Sequence, residues 1–311
     1  MAKNSKLHKA RVSKNDEFYT SLVDVESELK NYKDFFHGKK VLCNCNDDTN
    51  SSFFKYFSIN FYNLGLEKLT CVSYNKEGHA VKYVLEKDNE DITIKKLNGN
   101  GDFRDDECIE LLKDSDVVVT NPPFSLFSEF ISLMMEFNKK FIVMSNMNAV
   151  TYKEVFPYIK NNKIWYGPSI SSGDRVFRVP DEYELNAANC GFDENGNKFI
   201  RVSGIRWFTN IKHLKCNLPL VLYKHYNPTE YPKYDNYNAI ECSKTVEIPI
   251  DYDGVIGVPI TFLDKYCPDQ FEILCSSYKY SDCGVHIDGK SWNPIVNNKN
   301  IYARIFIRHK K

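Results

Sequence analysis

The sequence predicts an α/β fold: a mainly parallel sheet covered on both faces by helices, followed by a smaller loop-rich module. Three observations carry that prediction. As far as about residue 150, short apolar runs bounded by turn residues alternate with amphipathic stretches. Those runs are continuous, as in strands buried on both faces. Beyond them helical spacing becomes scarce, and short extended runs are joined by connections rich in Tyr, Asn and Pro.

Taken in order, Leu22, Val25, Leu29, Tyr32 and Phe36 recur at helical spacing and predict a helix over 22–36, ended by His37 and Gly38. Residues 39–45 read as a short buried strand running into the polar turn 46–52, and a helix follows over 52–64. A second strand is expected over 69–74. Residues 92–97 form another, closed by the turn at Gly99 to Gly101, before a short helix over 107–113. Residues 116–120, with three consecutive valines, give the clearest strand, followed by an amphipathic helix over 126–137 and an apolar strand over 141–145. Further short strands are expected over 175–179, 199–205 and 218–223. The composition divides the chain into a domain over 1–225 and a loop-rich module over 226–311, with no internal repeat.

Lys plus Arg and Asp plus Glu number 41 each, so no net field announces a polyanionic partner, and local charge must do so. Both ends are basic: Lys3, Lys6, Lys9, Arg11 and Lys14 at one, Arg304, Arg308, Lys310 and Lys311 at the other. The chain opens without an apolar signal segment and nowhere runs to eighteen consecutive apolar residues. A cytoplasmic location and reduced thiols for all 10 cysteines are therefore expected. Cys43 and Cys45 lack a second pair at zinc-site spacing, so no metal site is expected.

The residues that carry chemistry follow strand ends, where ligands bind in a parallel sheet. Asn121-Pro122-Pro123-Phe124 comes directly after the valine strand. Two prolines fix the loop's φ angles and remove its donors, leaving the Asn121 side-chain oxygen and the Pro122 carbonyl as acceptors for one amino group, beside an exposed Phe124 ring.

With Asn15-Asp-Glu-Phe-Tyr-Thr20, Asn44-Cys-Asn-Asp-Asp48, Phe53 to Phe57, Arg206-Trp-Phe-Thr-Asn210, residues 231–237 and residues 257–264, the chain resembles the DNA adenine-N6 methyltransferases, most closely the EcoRI-type adenine-specific family. The resemblance implies a Rossmann-like, S-adenosylmethionine-dependent methyltransferase sheet with target recognition in the C-terminal module. It implies that Asn121, Pro122, Pro123 and Phe124 are catalytic, with Phe124 stacking on a flipped adenine. Phe18, Tyr19 and Thr20 would line the methionine end of S-adenosylmethionine, Asp47 and Asp48 would meet its ammonium group, and Asn44 would belong to the same cofactor site. Asn75 would reach the ribose, and Asp102 and Phe103 the cofactor's adenine, while Asn121 borders the same cofactor site.

Two departures accompany the resemblance. The turn at 44–52 lacks the glycines most such enzymes place there, and Ser73, Tyr74 and Asn75 stand where an acidic residue normally holds the ribose. The implied partners are double-stranded DNA and a cognate restriction endonuclease acting on the same site, with no membrane and a monomeric or weakly dimeric state. Arg175, Arg178, Arg201, Arg206, Lys212 and His213 are candidate phosphate or base contacts. A protein glutamine amide or an RNA amine would fit the same loop, and a catalytically silent DNA-binding relative is the reading from a different class.

Overall fold

A computed structural model describes residues 18–45, 48–181, 183–185, 190–287 and 289–310. The chain separates into two units, one of residues 1–146 and 167–211, the other of residues 147–166 and 212–311.

In the first unit, Ser21 accepts from the Asp24 N–H and caps α1 (Leu22–Leu29). The helix expected over 22–36 keeps α geometry only to Leu29; Lys30–Phe36 is 3-10, with Tyr32 at φ −127°. The cause is local. The Asn31 side-chain amide donates to the Ser27 and Glu28 carbonyls, and the Tyr32 hydroxyl turns inward to donate to Glu28. Strand β1 (Lys40–Cys43) follows, then α2 (Ser52–Ile59), capped by Ser51 and burying Phe53, Phe54, Tyr56 and Phe57. α2 stops short of residue 64 because the Asn60 side chain captures the Tyr56 carbonyl.

β2 (Lys68–Val72) leads into a hairpin of β3 (Val81–Glu86) and β4 (Asn89–Lys96), then α3 (Asp106–Asp114), β5 (Val117–Thr120), α4 (Phe127–Glu136) and β6 (Lys140–Asn146). The chain then passes through α5 (Phe156–Lys160) and β7 (Trp165–Tyr166) of the second unit. It returns as β8 (Asp174–Arg178), β9 (Cys190–Phe192), β10 (Lys198–Ser203) and β11 (Ile205–Thr209).

Within this unit the main sheet runs β4-β3-β2-β1-β5-β6-β11. β1 pairs in parallel with β2 and β5, and β5 with β6, as expected. The flanks correct the expectation of a mainly parallel sheet: β3, β4 and β11 are antiparallel, so the sheet is mixed. Connections as short as those joining β2 to β3 and β3 to β4 can only produce antiparallel neighbours. β8, β10 and β9 form a separate antiparallel sheet. The expected strand over 199–205 divides at Gly204, whose φ is +73°.

The second unit holds a sheet in the order β12 (Ile240–Glu241), β13 (Ile256–Pro259), β17 (Arg304–His309) and β14 (Phe271–Ser276), with β15 (Ile295–Val296) and β16 (Lys299–Asn300) as a small ladder. Its core gathers Tyr234, Tyr237, Cys275 and Phe306. Residues 147–166 are tied in by the Tyr266 hydroxyl donating to Asn162 and the Tyr280 hydroxyl to the Thr151 carbonyl. Arg304, read as part of a basic end, is instead buried against Glu241, Nη2 to Oε1 at 2.7 Å. No strand forms over 218–223, where Leu218, Val221 and Tyr223 are exposed. The expectation of ten reduced thiols is corrected at Cys275 and Cys283, which the turn after β14 brings to a Cα separation of 5.8 Å and which are joined as a disulfide. No helix is long and apolar enough to cross a membrane.

Candidate active site

β1 lies between β2 and β5, with the chain crossing from one side of it to the other, so the carboxyl ends of β1 and β5 flank the point where strand order reverses. Open α/β sheets bind ligands there. Asn44 follows β1 and Asn121 follows β5; in the register Leu42 to Val118, Asn44 falls level with Thr120.

The loop after β5 is held by contacts far apart in sequence. Asn121 Nδ2 donates to the Phe18 carbonyl at 2.7 Å, which settles which way the amide faces. Its other end, Oδ1, is buried without a hydrogen-bond partner. Pro122 is buried, and the Pro123 carbonyl accepts from the Leu126 N–H to start the turn into α4. The expected exposed ring at Phe124 is not found. Phe124 is 8% exposed, edge-on to Phe18 at 5.3 Å and to Phe177 at 6.5 Å. An apolar ring beside two others gains more from burial than from water, and β8 supplies Phe177 at that spot.

Residues 18–20 are pinned on three sides. Besides the Asn121 bond, the Tyr19 N–H donates to the Arg178 carbonyl of β8 at 2.9 Å, and Ser52 Oγ at the start of α2 donates to the Thr20 carbonyl at 2.7 Å. Phe18 and Thr20 are buried, while Tyr19 is 42% exposed. Thr20 Oγ1 and Asn44 Nδ2 are, like Asn121 Oδ1, buried atoms without hydrogen-bond partners. Leaving a buried polar atom unpaired costs about 1–3 kcal/mol. Of these three atoms one can donate and accept, one donates and one accepts, so a polar ligand with groups of both kinds could satisfy them.

The other expected cofactor residues are placed less simply. Asp48 accepts from the Asn50 N–H and closes the turn into α2; Asp47 lies outside the described residues. The Asn75 side chain is exposed and spent on its own turn, accepting from the Glu77 N–H and donating to the His79 carbonyl. Asp102 binds Arg104 through Nε at 2.9 Å and Nη2 at 2.6 Å, and Arg104 also reaches Glu129 at 2.9 Å. The hydrogen bonds to Asp102 hold the Arg104 guanidinium protonated, above its already high ordinary range. Phe103 is buried edge-on to Phe130, with the Arg104 guanidinium 5.4 Å from its centre.

Of the candidate DNA contacts, Arg206 is buried: it donates to the Ile205 and Ser171 carbonyls, and the apolar strand β11 carries it inward. That corrects its reading as a surface contact. Arg175 donates to the Ser172 carbonyl and Arg178 to Asn197, while Arg201 and Lys212 are exposed. His213 Nε2 lies 2.8 Å from the Tyr166 carbonyl, and burial lowers its pKa.

Sequence reasoning missed Ser52, Phe177 and Glu107. Glu107 receives the Asn98 and Gly99 N–H groups and shapes the turn before Asp102. Gly101 in that turn has φ +85°, and a Cβ there would sit 2.5 Å from the Ser73 carbonyl, so the close crossing beneath β2 requires glycine. Paired serines before the Phe53 run were the available signal for Ser52; Phe177 and Glu107 had none.

The model of the family "Adenine-specific methyltransferase EcoRI" matches residues 6–310. The chain is 46% identical to the Type II methyltransferase M.EcoRI of Escherichia coli, covering 100% of this chain and 98% of that one. It is 41% identical to the Type II methyltransferase M.MpnI of Mycoplasma pneumoniae, covering 98% of each. With M.MgeORF184P of Mycoplasma genitalium, also a Type II methyltransferase, the identity is 40% over 97% of this chain and 98% of the other. No solved structure gives a significant match. Sheet, loop and relatives define the class, an adenine-specific DNA methyltransferase. Within that class, the chain belongs to the EcoRI adenine-specific methyltransferase family.

Proposed function

We propose that the chain methylates the N6 amino group of an adenine extruded from double-stranded DNA, with S-adenosylmethionine as donor, in the modification half of a restriction–modification pair. The observation that carries this reading is the Asn121 amide, whose Nδ2 is fixed on the Phe18 carbonyl while Oδ1 stays buried without a partner. Such an oxygen is an acceptor waiting for a donor from outside the chain. A base stacked in a duplex cannot reach it, so the adenine is flipped out.

Asn121 Oδ1 and the Pro122 carbonyl take the two amino hydrogens. This draws the nitrogen lone pair out of conjugation and aims it away from the loop, with positioning and electrostatics supplying most of the rate. When bound, S-adenosylmethionine supplies an electrophilic methyl on a sulfonium. Thr20 Oγ1, Asn44 Nδ2 and Asp48 would hold its methionine end beside Phe18 and Tyr19. Asp102 and Phe103 would receive its adenine, with Arg104 holding the Asp102 carboxylate in place; Asn75 would stand at the ribose. The parallel centre of the sheet acts as a Rossmann-like platform. Phe124 holds Phe18 in place and meets the base only at its exposed edge. The loop-rich C-terminal module over 226–311 reads the target, and a cognate endonuclease shares the site.

The test is methyl transfer from labelled S-adenosylmethionine to unmethylated DNA of mixed sequence, with the product nucleosides separated. Label in N6-methyladenine, lost in Asn121→Ala, supports the reading. Cofactor binding with no label in DNA overturns it in favour of an amide or RNA amine substrate, and no cofactor binding at all identifies a silent relative.

A further inference from the structure

Among the described residues β4 ends the main sheet, paired on one side only, through Tyr83 to Ile94 and Val84 to Thr93 with β3. Edge strands left open in this way are templates for another strand, and proteins commonly blunt them with charge of one sign, proline or a cover. β4 has charged residues toward both ends and its ladder with β3 shifts register between Val84 and Glu86, but its centre carries no charge, proline or cover among the described residues. Ile92 and Ile94 are 42% and 62% exposed, and Thr93 lies between them. Asp91 precedes them and Lys95 follows, and neither makes an ion pair among the described residues.

The order Asp-Ile-Thr-Ile-Lys is its own complement when read backwards. An antiparallel pairing of β4 with β4 of another copy, centred on Thr93, places Ile92 opposite Ile94 and Asp91 opposite Lys95. Residues directly opposite share a face, so the isoleucines meet isoleucines on one side and the charges meet opposite charges on the other. Two-fold symmetry makes every such pair occur twice. Any other antiparallel register shifts these matches apart, and a parallel pairing in register would set like charges side by side.

We propose that two copies of this chain associate through β4, adding strand to strand across a two-fold axis and extending the main sheet from one protomer into the next. The contact is one short strand from each side, smaller than a standard interface, so the dimer is weak, with a dissociation constant on the order of 0.1 mM.

Sedimentation velocity of the full chain over a concentration series spanning that value tests the proposal. Wild type is expected to shift reversibly from monomer to dimer. Asp91→Lys and Lys95→Asp, each of which opposes like charges twice, should each weaken association about tenfold. The double exchange Asp91→Lys with Lys95→Asp restores opposite pairs and should return it to the wild-type value, while Ile94→Lys should abolish it. All three positions are exposed and remote from the Asn121 loop in sequence, so unchanged methyl transfer serves as the control for folding. A wild type that stays monomeric throughout the series, or a dimer indifferent to the charge exchanges, overturns the proposal.

Discussion

Replacing Asn121 with alanine separates catalysis from stability in a way the structure allows to be worked out. The truncation deletes the 2.7 Å hydrogen bond from Nδ2 to the Phe18 carbonyl and leaves that carbonyl unpaired, at a cost of about 1–3 kcal/mol. It also deletes Oδ1, whose burial without a partner already burdened the folded state by a similar amount. The two largely offset, so unfolding free energy should change by no more than about 1 kcal/mol, which is a Tm shift of about 1–2 °C for a chain of 311 residues. The reaction loses a preorganised acceptor, and the rate should fall about 100- to 1,000-fold. Asn121→Asp behaves differently, because an oxygen then faces the Phe18 carbonyl and a charge is brought into a buried position; it should lose stability as well as rate. Methyl transfer read alongside thermal unfolding distinguishes the outcomes. A wild-type rate in Asn121→Ala would refute the assignment of Oδ1, and a collapse in its Tm would show that the amide serves the fold.

Phe124→Ala should lower stability by about 3 kcal/mol in urea unfolding, because the ring packs between Phe18 and Phe177; an unchanged midpoint would place the ring in solvent. Glu241→Ala leaves Arg304 buried and unpaired and should cost about 3–5 kcal/mol, whereas replacing both residues with methionine should cost far less; equal losses would remove the ion pair as the cause. Burial holds the His213 pKa below its ordinary 6.5, so the folded state resists protonation. Its contribution to stability is complete above that value and is lost as pH falls from there toward the lower folded-state pKa. Tm should drop between about pH 7 and pH 5, and His213→Gln should flatten that drop; an identical slope in the variant would assign it elsewhere.

Much of the site was legible because it rests on local chemistry. The valine strand and the rigid Asn121-Pro122-Pro123 turn announce themselves within eight residues, and the Ser51 cap precedes an aromatic run at helical spacing. What escaped depends on distant partners. Phe124 reads as an exposed ring until Phe18 and Phe177 are brought beside it. Arg206 reads as a surface cation until β11 is seen to be buried throughout. The direction of β3 and β4 is set by the shortness of their connections, which apolar patterning does not encode, and the apolar run over 218–223 finds no neighbouring strand to pair with.

The second unit is assembled from two separate stretches, 147–166 and 212–311. During synthesis the first of these is made 145 residues ahead of Lys311, the last residue of the second. At about 5–20 residues per second it waits about 7–30 s for its partners. Throughout that interval Val150, Val155, Phe156, Ile159 and Ile164, all buried in the finished protein, have no completed core to enter. A nascent chain halted near residue 211 therefore carries a sticky segment in its middle, exposed to proteases and to neighbouring chains. Grafting this unit onto a relative would take two coordinated exchanges rather than one terminal fusion.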